Sequence, residues 1–130
     1  MSEEKLPTVY DEIGGEKTVK ELVKYFYDIM DSNNDFKTIR EQHHDLEISR
    51  EKLFMFLSGW LGGPSLYVEK YGHPRLRARH MPFPIGTKER DQWVNCMALA
   101  FEKIDIKKEI KRELLLSLAN VADFMRNKND

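Results

Sequence analysis

The sequence holds a single cysteine, Cys96, so neither an internal disulfide nor a thiolate metal cluster can form within one chain. It lacks an apolar run of membrane-spanning length and a signal-peptide pattern, which makes the cytoplasm the expected compartment. It lacks an excess of either charge. Its 21 Lys and Arg stand against 22 Asp and Glu, so no global field draws it to nucleic acid or to a membrane. No stretch alternates apolar and polar residues between hairpin turns, and no repeat or low-complexity linker is visible. What is present, 41% hydrophobic and 33% charged residues in a chain of 130, suits one soluble globular domain spanning residues 1–130.

The apolar spacing is helical. Val19, Leu22, Val23, Phe26 and Met30 form one stripe, with Thr18 and Glu21 as a candidate capping box at its start. Leu53, Phe56, Leu57, Trp60 and Leu61 form a second, with Ser49 as a candidate cap and Gly62-Gly63-Pro64 as its stop. Trp93, Met97, Ala100, Phe101 and Ile104 make a third. Ile110, Leu114, Leu118, Val121 and Met125 make a fourth. The fold class is all-α.

Residues 62–92 break this regularity, and long irregular connections tend to carry function. Only one short helix is expected there, near Pro74–His80, with Pro74 in its first turn, where a missing N–H costs nothing. "RLRARHMPFPI" (75–85) puts His80 at the last turn before two prolines end the helix. Zinc is poorly served, because His73 and His80 are too widely spaced for a helical pair and no cysteine pair completes a tetrahedron. Arg75, Arg77 and Arg79 suit a small anion bearing carboxylates better than nucleic acid, since the planar guanidinium matches a carboxylate. Tyr27 and Trp93 bring hydrogen-bond donors to apolar faces, where an unpaired donor is costly. Each alone fits a bond to a backbone carbonyl; together with His80 they suggest donors converging on a bound group. The residues by themselves describe an all-α protein with an apolar pocket, one axial-type histidine and an arginine beside it.

"YDEIGG" (10–15), "FYDIM" (26–30), "GWLGGPSLYVEKYGHPRLRARHMPFPIG" (59–86) and "ERDQW" (89–93) together resemble the truncated hemoglobins, and within them group II. The resemblance covers roughly residues 8–125. It implies a two-over-two helical sandwich around heme b, with His80 as the proximal iron ligand. It implies that Tyr67 and Arg79 lie near the heme propionates, and that Leu53, Phe56, Leu57, Phe83, Ile85 and Met97 form the apolar wall. Each of those apolar residues equally suits plain core. On the distal face it places Tyr27, His43 and Trp93, with Ser49 where ordinary globins keep a distal histidine. His44 is the alternative to His43, which the match of "IREQH" to the preceding helix favours.

The implied function is reversible binding of dioxygen and other diatomic ligands at a five-coordinate iron, with slow release suited to scavenging or sensing. The alternative is a redox enzyme acting on peroxide or nitric oxide. A non-heme helical module that binds nucleic acid or protein through the arginine run is the remaining reading. An unidentified reductase is an expected partner, with the chain a monomer or weak homodimer.

Overall fold

The computed structural model describes residues 7–128. Among them every regular element is helical: α1 (Val9–Ile13), α2 (Gly15–Ser32), a 3-10 turn at Asn34–Phe36, α3 (Lys37–Glu41), α4 (Leu46–Trp60), α5 (Leu66–Tyr71), α6 (Leu76–His80), α7 (Thr87–Glu102) and α8 (Lys108–Phe124). The four long helices carry the four stripes. α2 packs on both α4 and α7, and α7 packs in turn on α8. The centre of this arrangement is α2, whose Val19, Leu22, Val23, Phe26 and Met30 are all buried. Burying such side chains fully is worth about 1.5–3 kcal/mol each, so α2 needs little help from its local propensity.

The helix starts differ from the sequence expectation. α2 begins at Gly15, not at a Thr18–Glu21 box, because Gly14 closes α1 and opens α2 in one residue. Gly14 adopts φ 111°, a left-handed value that favours glycine. The capping box that does form is one helix earlier: Thr8 Oγ1 accepts from the Asp11 N–H, and Asp11 accepts from the Thr8 N–H. α4 is capped by Asp45, whose carboxylate accepts from the Ile48 N–H, so Ser49 lies inside the helix.

The irregular segment also holds more helix than expected. α5 is an additional element, and α6 starts at Leu76, which leaves Pro74 outside it. Arg75 takes the N-cap place with φ 45°, and its N–H donates to His73 Nδ1 at 3.0 Å. That bond, not the proline, shapes the entry to α6. Upstream, the Gly62-Gly63-Pro64 turn is held by Ser58 Oγ donating to the Pro64 carbonyl at 2.7 Å. A Cβ at Gly63 would stand 2.5 Å from the Tyr10 ring, so the second glycine gives α1 its seat.

Candidate functional site

His80 ends α6, half-buried, with Nδ1 2.6 Å from the Leu76 carbonyl oxygen. A carbonyl can only accept, so Nδ1 carries the proton and Nε2 presents a lone pair. No described residue bonds to Nε2, and no cluster of three or more His, Cys, Asp or Glu side chains able to hold a metal occurs among the described residues. The imidazole is thus a single nitrogen donor already in its ligating tautomer. A metal held there would draw its other ligands from outside the described His, Cys, Asp and Glu side chains.

A second imidazole is tethered the same way. His43 Nδ1 lies 2.7 Å from the Ile39 carbonyl, again four residues back, so its Nε2 is also left bare. Burial, first, holds the His43 pKa below the ordinary histidine value; the bond to the Ile39 carbonyl works against it, and the Arg40 charge adds to the lowering. His43 is therefore neutral at neutral pH, with Nε2 an acceptor. Its ring meets Tyr27 edge-on, with centroids 5.7 Å apart. His44 is exposed.

Tyr27 is buried on α2, and its ring also packs edge-on against Phe26 at 4.9 Å. Burial, first, and the neighbouring Cys96 raise its phenol pKa far above the usual range, so the hydroxyl keeps its proton. That hydroxyl bonds to no other described residue. Trp93, in the second turn of α7, lies 5.3 Å from Phe26 at an interplanar angle of 62°. Its indole N–H is likewise unbonded among the described residues. Two donors thus pack on Phe26 from α2 and α7, and the acceptor, on the turn after α3, packs on Tyr27.

The other sequence-derived candidates divide into groups. Leu53 and Phe56 are half-buried against the core, which suits a wall, whereas Leu57 and Met97 lie inside the core at 1% and 0% exposure. Phe83 and Ile85 are half-buried in the loop after α6. Tyr67 is buried, with the Arg79 guanidinium 5.6 Å above its ring. Ser49 is half-buried and makes no side-chain bond to a described residue. Of the three arginines read as an anion site, Arg77 is spent on backbone carbonyls at the end of α8.

Several supporting residues carry no sequence signal. Arg40 pairs with Asp31 and donates to the His43 carbonyl at 2.8 Å, fixing the turn that carries the imidazole. Gln92 accepts from the Ile39 N–H, and Gln42 donates to the Pro84 carbonyl at 2.8 Å. Gln42 thereby links the His43 side of the site directly to the loop after His80. Arg50 pairs with Asp28 at 2.6 Å and lies 5.8 Å from the Tyr27 ring centre. Hydrogen bonds from Arg50 and Lys24 hold the Asp28 carboxyl below its usual range. Each is a single polar residue whose partner is distant or on another element, so periodicity says nothing about it.

The donor set fits heme: one imidazole with a bare Nε2, half-buried apolar side chains, and a buried phenol against a second imidazole. The sequence pattern of the bacterial-like globin family matches residues 8–127. The Group 2 truncated hemoglobin YjbI of Bacillus subtilis is 39% identical over 116 residues, covering 89% of this chain and 86% of that protein. Among solved structures, the cold-adapted truncated hemoglobin from the Antarctic marine bacterium Pseudoalteromonas haloplanktis superposes with a TM-score of 0.92. It is 40% identical, over 95% of this chain and all (100%) of that one. The group II 2-on-2 hemoglobin from Agrobacterium tumefaciens also gives a TM-score of 0.92, at 38% identity over 99% and 100% of the two chains.

Proposed function

Since the chain belongs to the bacterial-like globin family, as a group 2 truncated hemoglobin with the two-over-two fold, we propose that this heme protein binds dioxygen reversibly and releases it slowly. The heme is of type b, with His80 as its proximal ligand. When bound, it would supply an iron able to take up a diatomic gas. The observation that carries the reading is the His80 tautomer, with Nδ1–H committed to Leu76 and Nε2 free.

The chain's own part is orientation and hydrogen bonding. The Trp93 indole N–H can only donate, and packing against Phe26 sets its direction. The Tyr27 hydroxyl keeps its proton and donates from the neighbouring helix face. A polarised gas ligand accepting two such bonds gains about 1–3 kcal/mol from each, so release slows roughly a hundredfold or more. Neutral His43 accepts instead, and orients the Tyr27 hydroxyl or a protonated ligand. Tyr67 and Arg79 hold the propionate edge, and Leu53, Phe56, Leu57, Phe83, Ile85 and Met97 keep water out. Scavenging or sensing in the cytoplasm, with a separate reductase and a monomeric or weakly dimeric chain, completes the proposal.

His43 also favours a second reading. A half-buried neutral imidazole with a free Nε2 is a general base, able to take a proton from one oxygen of a hydroperoxide and return it to the departing oxygen. Absorption spectra of the reduced protein with and without dioxygen test the first reading. Turnover with hydrogen peroxide and with nitric oxide, compared with the His43→Phe variant, tests the second.

A further inference from the structure

An axial ligand has to point in one direction, yet the helix that carries His80 is poorly built to aim it. α6 has five residues, no buried side chain and no side-chain N-cap bond. It shares no extensive contact with another helix, and Met81 after it is 54% exposed. A helix this short has no stability of its own. Since the imidazole is tied to Leu76 within α6, its ring goes wherever the α6 backbone goes.

The hold on that backbone is polar and comes from the residues just past α8. Arg77 Nη1 donates to the Phe124 carbonyl at 3.1 Å and to the Arg126 carbonyl at 2.9 Å. The Asn127 side chain then spans the loop that leaves His80. Its Nδ2 donates to the Phe83 carbonyl at 2.8 Å and lies 3.4 Å from the His80 carbonyl, while its Oδ1 accepts from the Ile85 N–H at 3.0 Å. The Asn127 and Lys128 N–H groups both reach the Ile85 carbonyl, at 2.8 and 3.2 Å. The same loop is closed internally by the Phe83 N–H bonding to the His80 carbonyl. Only a carboxamide offers donors and an acceptor on one planar group, so it alone bonds both the carbonyls and the N–H of this loop. Asn127 follows closely on α8, which is packed on α7.

We propose that Asn127 is a positioning residue for His80: by clasping residues 80–85 to the end of α8 it sets the direction of the imidazole Nε2. The proposal rests on the reading of His80 as axial ligand. Its role differs from general stabilisation, because the bonds it makes fix the angle of one turn and bury little apolar surface.

The test uses the full-length protein reconstituted with heme, reduced and gas-free, and reads the iron–histidine stretching band by resonance Raman. Wild type gives one band, lost in His80→Ala. Asn127→Ala shifts or broadens it and speeds heme release roughly tenfold. Asn127→Asp, which keeps the acceptor for Ile85 but loses the donors, also shifts it, whereas Asn127→Gln restores the wild-type band. In the heme-free chain, amide exchange at Ile85 accelerates in Asn127→Ala. Should Asn127→Ala not fold, Asn127→Asp and Arg77→Met carry the same comparison. A band unchanged in position and width in the Asn127 variants, with only a lower melting temperature, overturns the positioning role. No histidine band in wild type, or one that survives His80→Ala, overturns the axial assignment and this proposal with it.

Discussion

Tyr27 stands on a helix of 18 residues with six buried side chains, while His80 ends one of five residues with none. The two faces of the site are held by different physics. Apolar burial fixes α2 and α7 strongly but without direction, and the donors inherit their aim from how Phe26 packs between them. Hydrogen bonds fix α6 with direction and little bulk. The distal side should therefore survive loss of the prosthetic group, and the proximal side should depend on it.

The sharpest break of this comparison is His80→Ala. We expect most heme binding to disappear and added imidazole to restore part of it, which titration by absorption spectroscopy would read. Retained heme with an unaltered reduced spectrum would remove His80 from its role.

Heme removal from the wild-type chain comes next. A ligand that binds only the folded state stabilises it by mass action, so the heme-free protein should melt at a lower temperature. Hydrogen exchange should loosen mainly in residues 62–86, with α2 and α7 still protected. Uniform loosening would erase the contrast between the faces.

Trp93→Phe and Tyr27→Phe test the distal side alone. Each removes one donor and should speed dioxygen release about tenfold, for roughly 1.4 kcal/mol per bond. Together they should give less than the product of the single effects, because both donors serve one ligand. Stopped-flow release rates decide this, and a silent Trp93→Phe would refute the assignment.

The smallest effect concerns acid. Neutral His43 accepts at Nε2, and its pKa lies below the ordinary value of about 6.5. As pH falls through that lowered value, Nε2 gains a proton and becomes a further donor, so release should slow. His43→Phe should flatten the profile. The same shift has a stability consequence: the unfolded chain binds this proton more readily, so stability falls as pH drops below about 6.5. Release that quickens on acidification in wild type but not in His43→Phe would contradict the assigned tautomer.

The contrast between the faces also explains what could be read in advance. α2, α4, α7 and α8 are long enough for a helical period to repeat; the α2 stripe is fully buried, and the other three are buried or half-buried where the spacing put them. α1, α3 and α5 are one or two turns each, too short for a period to show. At Asp45 and at Thr8–Asp11 the capping residues were present in the sequence, but Ser49 and the Thr18–Glu21 pair offered equivalent cap chemistry further along the chain. His80, Tyr27 and Trp93 stood out as chemistry in unexpected places. Asn127, Gln42 and Arg40 did not, since their partners are backbone groups that exist only once the chain has folded.

Gln42 has a consequence of a different kind. Its bond to the Pro84 carbonyl joins the two sides of the site at the surface, so any large group passing that edge must open it. A bond that opens for passage and closes afterwards slows entry and exit by the same factor and leaves the equilibrium where it was. It acts as friction. For a group that passes this edge, Gln42→Ala would then leave affinity unchanged and quicken exchange by no more than about tenfold.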